Sequence, residues 1–462
     1  MSAAENTGKF PPQIRFLIGN EGCERFSFYG MRTILTVFMV QYLAIQGGVA
    51  TEVYHWFVAA CYLTPLAGAY LADRFFGKYK VILWLSIVYV IGHGVIAVFE
   101  NEMGLYWGLG LIAIGSGGIK PCVSAFGGDQ FNPKNTLGIT RFYNAFYWII
   151  NLGSATSSLL TPFLLAKLGP AIAFGIPGVL MLIATIVFWM GRKQYVMKPP
   201  TGKNPDSFMT VMMSAMKNRK PGQKFLDGAL KNHSKDVVEG VRTVLAIMTI
   251  FFTAVPIFWA LFDQHGSTWV LQALQMDPMV FGFKLEPAAM QALNPWMVMT
   301  LIPIFVFGVY PTVQKFYDFT PLRRMGVGMV IAGFSFVQVA LIQYVIEGQI
   351  ADGVELNDRI NIMWQFFPYL TITIAEVLIS ITGLEFAYTQ APKSMKSTIM
   401  SFWMLTTFLG NFIVAIASKF IDSGSENAVS GNFFMFFAIL TFGASGIFAL
   451  MAKNYKMREV EN

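Results

Sequence analysis

A chain of 462 residues in which 55% of the side chains are hydrophobic and only 13% charged is far more apolar than a soluble globular protein, where about 25% are charged. Together with a mean hydropathy of +0.54, this excludes disordered, fibrous and nucleic-acid-binding classes. The net charge of +7 must then be explained by where the basic residues sit, and the three cysteines, Cys23, Cys61 and Cys122, each in an apolar run, imply no disulfide framework.

Apolar stretches of about 20 residues, the length that a bilayer core of roughly 30 Å asks of a helix, recur along the chain. Twelve spans are predicted, at about 14–45, 53–72, 80–99, 103–127, 141–165, 170–191, 242–264, 290–313, 323–346, 360–388, 396–420 and 431–453. The first is too long and too charged for a cleavable leader, so no signal peptide is expected. Lys and Arg concentrate in one of the two alternating sets of loops, and only Lys167, Lys284, Arg359 and Lys419 fall in the other. The positive-inside rule accordingly puts both termini in the cytoplasm and turns the basic balance into a matter of orientation, which sets nucleic acid aside as a partner. A polar segment at about 192–241, dense in Lys and Arg, separates the sixth span from the seventh. Its Met-rich run Phe208–Met213 is too short to cross a bilayer and is expected to be an interfacial helix. The expected fold is an all-α integral membrane protein of twelve transmembrane helices, with six-helix bundles at 1–191 and 242–462 joined by a cytoplasmic linker. That is the plan of the major facilitator transporters, whose substrate site lies between the halves.

The ionisable residues inside the spans carry the chemistry. The first span holds Glu21, Glu24, Arg25, Tyr29 and Arg32 at helical offsets of three and four, so that they share one stripe and Arg25 can pair with Glu21. At about 2.5 to 3.5 kcal/mol each, four ionised groups facing lipid would cost roughly 10 to 14 kcal/mol, so they must face a wet or paired interior. His55 opens the second span and Asp263 closes the seventh, which puts both at the outer face, where an imidazole titrating near about 6.5 is suited to sense protons. Away from the span ends the only lysine is Lys120, and Glu376 is an isolated carboxylate in the opposite half. Opposed charges across a central cavity could clamp the two ends of a zwitterion. Arg141 opens the fifth span and Glu385 lies about two and a half turns beyond Glu376, so that topology and charge together make them a candidate inner gate, with Lys393 and Lys396 as the competing local partners of Glu385.

Several runs resemble the proton-dependent oligopeptide transporter family. The first is Glu21-Gly22-Cys23-Glu24-Arg25-Phe26-Ser27-Phe28-Tyr29-Gly30, in which Phe28 stands where the family has the first of two tyrosines. The second is Gly68 to Lys78, with Asp73, Arg74 and Gly77, and the third is Phe146 to Ser154. Gly383 to Tyr388, Gln390-Ala391-Pro392 and Ser401-Phe402-Trp403 are similar too, so the resemblance covers both halves. It implies that Lys120, Arg25 and Arg32 face a peptide carboxylate and that Glu376 takes the amino terminus. It further implies that Asn151 and Asn294 bond the peptide backbone, that Tyr29, Tyr62 and Trp403 line side-chain pockets beside Ser401, and that His55 and Asp263 form the outer gate.

The expected function is symport of di- and tripeptides with protons, with Glu21, Glu24, Arg25, His55 and Asp263 coupling the proton, a proton gradient as the driving force, and no cofactor or metal. A facilitator for another small anion or an amino-acid derivative is the alternative, against which stand the paired glutamates beside Arg25 and the amine-seeking Glu376. A membrane enzyme is disfavoured, since four histidines and no His-Glu-x-x-His or Gly-x-Ser-x-Gly run supply no catalytic constellation. The connection at about 347–359 leaves no room for the large external domain of the family's animal members, which points to a bacterial inner membrane.

Overall fold

The computed structural model describes residues 8–132, 134–200, 202, 204–390, 392, 395–420 and 429–455. The first six long helices are α1 (Ile14–Val37), α2 (Gly47–Leu71), α3 (Lys78–Val98), α4 (Glu102–Gly128), α5 (Thr136–Leu168) and α6 (Pro170–Met190). A short amphipathic helix, α7 (Phe208–Asn218), then precedes α8 (Lys235–Phe262) and its extension α9 (Thr268–Ala273). After a small hairpin of β1 (Met279–Val280) and β2 (Phe283–Lys284) come α10 (Leu293–Ile304), α11 (Tyr310–Gln314), α12 (Pro321–Ala351), α13 (Phe366–Glu376), α14 (Thr382–Gln390), α15 (Lys396–Ala417) and α16 (Gly431–Asn454). Wide π-helical turns at Phe305–Val309 and Val377–Ile381 join α10 to α11 and α13 to α14, so each pair crosses as one bent rod.

Among the described residues ten helical runs are long and apolar enough to span a bilayer. α1 and α2 fall short of that apolarity for a local reason. α1 carries Arg15, Glu21, Glu24, Arg25 and Arg32, and α2 is interrupted by Thr, Tyr, His, Gly and Pro. Both are nevertheless long helices embedded among the others, and the charges turn inward: Glu21, Glu24, Arg25 and Arg32 are all buried. Large apolar side chains such as Trp84, Ile439 and Leu450 face outward instead, the inverse of a soluble protein.

Helix ends follow from their residues. Asn101 and Asn135 accept backbone N–H bonds at the starts of α4 and α5, Ser234 and Ser430 do so for α8 and α16, and prolines open α6 and α12. Close helix contact depends on glycine at two places. A Cβ on Gly68 of α2 would lie 2.4 Å from the Gly117 carbonyl of α4, and one on Gly410 of α15 would lie 2.5 Å from the Pro256 carbonyl of α8. α1 packs on α5 and α6, and α3 on α4 and α6. In the second half α8 packs on α15 and α16, and α12 on α13 and α16, while α2 against α15 and α5 against α10 join the halves.

In the polar segment α7 buries Val211, Ser214 and Ala215 and exposes Met209, Met213 and Met216, as expected of a helix with one apolar face outward. Its Phe208 ring meets Phe402 of α15 at 5.1 Å. The loop after α2 is held by charge: Lys78 Nζ lies 2.6 Å from Asp129, which also takes Lys198 at 2.7 Å, and Gly77 supplies the left-handed turn with φ +77°.

Candidate functional site

Where α1 ends and α2 begins, away from the chain termini, the two halves are tied by buried polar contacts. Arg32 Nη2 donates to Asp263 Oδ1 at 2.5 Å, and Arg32 Nε donates to the Tyr54 hydroxyl at 2.6 Å. Asp263 Oδ2 accepts from Asn411 Nδ2 at 2.7 Å, and Asn411 Oδ1 meets His55 Nδ1 at the same distance. His55 Nε2 lies 2.8 Å from Ser267 Oγ. Thr36 donates to the Gly266 carbonyl at 2.7 Å, and Gln291 Nε2 to the Thr33 carbonyl at 3.0 Å. The expected His55–Asp263 pair is therefore not a direct ion pair. Asn411, whose side chain offers both a donor and an acceptor, stands between them, and the charge that Asp263 neutralises is Arg32.

Below this tie lies a cavity of about 260 Å³, lined by Tyr29, Arg32 and Tyr62, by Tyr147 and Asn151 of α5, and by Trp259, Asp263, Asn294 and Glu376 from the other half. Asn294 Nδ2 donates to Glu376 Oε2 at 2.7 Å and to Thr373 Oγ1 at 3.1 Å, which aims the carboxylate from α13. Asn151, on the cavity wall, donates Nδ2 back to the Tyr147 carbonyl at 2.9 Å. The exposure of the inward stripe of α5 gives the direction of opening: Tyr143 and Tyr147 are 43% exposed, Asn151 and Ser154 9%, and Ser158 4%. On α14 the exposed residues are likewise those nearer the termini, Glu385, Tyr388 and Thr389. The cavity is closed at the far end and open toward the chain termini.

Lower on α1, Arg25 Nε sits 2.8 Å from Glu21 Oε1 and 2.6 Å from Glu24 Oε2, so one guanidinium is shared by two carboxylates within one helix. Arg25 is thus off the cavity wall it was expected to share, and three further expected cavity residues lie elsewhere. Lys120 Nζ is tucked 3.9 Å from the Phe28 ring centroid and 4.6 Å from that of Tyr62, and of the two only Tyr62 lines the cavity that the lysine was expected to face. Phe28, the residue that replaces a tyrosine, is thus the seat of the lysine. Trp403 packs edge-on against Phe251 at 5.2 Å and behind Trp259, which takes the cavity wall in its place. Ser401 also lies off the wall.

The expected Arg141–Glu385 contact is not formed. Arg141 Nη1 donates to the Gly8 carbonyl at 3.3 Å. Glu385 is exposed and makes no ion pair among the described residues, Lys396 stacks on Tyr388 at 3.7 Å, and Lys393 lies outside the described residues. A pair at an open mouth has no reason to close. Residues not singled out from the sequence, Asn411, Ser267, Gln291 and Tyr54, complete the far-end tie. A lone Asn within the apolar run of α15 was the one signal that could have found Asn411, since an uncompensated amide in a membrane helix needs a partner.

An all-helical membrane bundle of major facilitator architecture, with a polar cavity between its halves, is the class that this fold and site define. The family model described as POT family (PTR2) matches residues 79–435, and the chain belongs to that family. It is 40% identical over 366 residues to solute carrier family 15 member 2 of Mus musculus, covering 74% of this chain and 50% of that protein. It is also 40% identical over 365 residues to peptide transporter 3 of Caenorhabditis elegans, covering 74% of this chain and 52% of the relative. The chain thus spans about half the length of the curated relatives it matches. Among solved structures it is similar to the POT family transporter PepTSo (TM-score 0.90, 42% identity, covering 98% of this chain and 99% of the other). It is similar as well to an auto-inhibited POT family peptide transporter (TM-score 0.90, 39% identity, covering 98% and 99%).

Proposed function

We propose that this protein carries di- and tripeptides together with protons across a cell membrane, the bacterial inner membrane on the reading of its short external connections, by alternating access between units 1–191 and 242–462. The observation that carries the reading is the cavity itself, which sets the Asn294-held carboxylate of Glu376 on one wall and the guanidinium of Arg32 on another, with Asn151 between. A peptide zwitterion needs an anion for its amine, a cation for its carboxylate and an amide partner for its backbone. The names of the relatives, peptide transporters among them, support the same substrate class. Glu21, Glu24 and Arg25, with the linked set Arg32–Asp263–Asn411–His55, supply buried carboxylates and an imidazole whose protonation would rearrange ion pairs, so the proton gradient is the driving force and no cofactor is required. With the basic loops in the cytoplasm, the open mouth faces inward and the far end is the outer gate. Purified protein in liposomes should accumulate a radiolabelled dipeptide when an inward proton gradient is imposed and only equilibrate it when the gradient is collapsed. Gradient-independent accumulation, or uptake that amino-blocked and free dipeptides support equally, contradicts the reading.

A further inference from the structure

Helix α3 contributes nothing to the central cavity, yet one of its faces is polar. Ser86, Tyr89 and His93, spaced by three and four residues, share a stripe and are each 0% exposed. The Tyr89 and His93 rings stack at 5.1 Å with an interplanar angle of 18°. His93 Nε2 lies 2.9 Å from Ser27 Oγ of α1, which is three residues beyond Glu24. As the first and third of successive crossing helices, α1 and α3 run in the same direction, so the register that joins His93 to Ser27 brings Tyr89 to the level of Glu24. Along two turns of α3 Ser86 Oγ, the Tyr89 hydroxyl and His93 Nδ1, with both carboxylate oxygens of Glu24 on α1 and Lys120 Nζ on α4, are buried with no hydrogen-bond partner among the described residues. Arg25 touches Glu24 at 2.6 Å but out of line for a hydrogen bond.

Six buried polar atoms without a hydrogen bond, spread over two turns of α3 and the residues of α1 and α4 that face it, are not a tolerable core even with Arg25 beside Glu24 and two rings beside Lys120. Each costs about 1 to 3 kcal/mol if left dry, and buried polar groups in folded proteins are almost always paired with protein or with water. The set mixes donors (lysine, tyrosine, serine) with acceptors (carboxylate, an imidazole nitrogen), and the small ligand that satisfies both kinds at once is water. We propose that Ser86, Tyr89 and His93 of α3, with Glu24 of α1 and Lys120 of α4, enclose a buried water site that hydrogen-bonds the Glu24 carboxyl, and that Tyr89 and His93 are positioning residues for its protonation. The other titratable or charged groups that act on Glu24, Tyr89 or Lys120 are Glu21, Arg25, Tyr29 and Arg32 of α1 and Cys61 and Tyr62 of α2. α6, whose Gly178 backs the His93 ring, contributes none. The inference rests on the proton-coupled reading only for its purpose, since the water site itself stands whether or not the chain moves peptides.

The test is infrared difference spectroscopy of the full chain in liposomes between acid and neutral pH, with the stretch of the protonated carboxyl assigned to Glu24 by its loss in Glu24→Gln. Tyr89→Phe removes only a hydroxyl and should move that band to higher frequency, because a carboxyl that loses a hydrogen bond stiffens. His93→Gln keeps a partner for Ser27 but loses the ring and should shift the band as well, and Ser86→Ala provides a third, smaller probe should either aromatic variant fail to fold. Exchange into heavy water should shift the parent band and the three variants by different amounts. If the Glu24 band is absent, or holds its frequency in every folded variant, the water site is overturned. If the bands shift while wild-type protein shows no proton-driven dipeptide uptake, the water site stands and the transport reading falls. Where transport is present, Tyr89→Phe and His93→Gln should displace the pH midpoint of uptake while leaving the apparent KM for dipeptide within about twofold, a split that a merely destabilised fold would not give.

Discussion

The two ends of the central cavity are built from the same kinds of residue and behave oppositely. At the far end an arginine, an aspartate, an asparagine and a histidine are buried and joined in one hydrogen-bonded line across the halves. At the end near the termini an arginine and a glutamate of the same complementary character stand apart, each at the surface. The difference shows where electrostatics can hold a conformation. A charge pair withdrawn from water and backed by further hydrogen bonds resists the loss of one partner by about 3 to 5 kcal/mol, whereas an exposed pair contributes about 0 to 1 kcal/mol. On the proposed alternation the far end would be the lock whose release costs most, and the near end a latch that would close only weakly.

The contrast can be broken first at Asp263. Asp263→Ala leaves the Arg32 guanidinium buried without its anion, and it is expected to open the far end and to lower proton-driven uptake by at least about tenfold, read by liposome transport and by labelling of a cysteine placed at Gln291. Unchanged labelling would mean that the line of polar contacts does not hold the end shut. Next in size, Glu376→Gln keeps the Asn294 contact but loses the charge, and uptake of dipeptides with a free amine should fall by about 10- to 100-fold relative to amino-blocked analogues, the worth of about 1.5 to 3 kcal/mol for a charged hydrogen bond. Equal losses for the two would remove Glu376 from amine recognition. A third measurement sharpens the lock itself. A double-mutant cycle between His55 and Asp263 should give a coupling of about 0.5 to 3 kcal/mol with Asn411 present and close to zero in an Asn411→Leu background, because the amide is the link. Coupling that survives the leucine would point to a direct interaction. The smallest effect belongs to the latch: Arg141→Ala and Glu385→Ala should each favour the open mouth by about 1 kcal/mol or less, and the charge-swapped double variant should recover part of it, as followed by cysteine accessibility near Tyr388.

Much of this was legible in the residues. Twelve apolar runs and the uneven distribution of Lys and Arg give the helices, because a bilayer tolerates little else, and the ionisable groups of α1 had to face inward whatever their partners. The choice of partner was not legible. Setting Lys120 and Glu376 at the two ends of a zwitterion considered charge alone, whereas the fold seats the lysine on the Phe28 and Tyr62 rings, a contact that no spacing rule reports. The link through Asn411 was missed for a related reason. A neutral amide in α15 acquires meaning only when α15 packs against α2, a long-range contact set by small residues and shape. Trp403 was expected at the cavity wall, but Trp259 stands in front of it, and two tryptophans in apolar helices cannot be ranked by depth from periodicity. Arg141 and Glu385 lie exposed without touching, since whether such a pair forms depends on conformation, which no sequence pattern reports.

The central claim is that the far end is locked while the near end is open and that the two exchange. Spin labels at Gln46 and Lys284, exposed on opposite halves at the far end, and at Thr140 and Thr389 near the termini, allow the two separations to be measured by pulsed electron resonance on the same preparation. Acid pH with dipeptide, or the Asp263→Ala change, should lengthen the far-end distance and shorten the near-end distance together. Distances that stay fixed, or that lengthen at both ends at once, would contradict alternation between a locked and an open end.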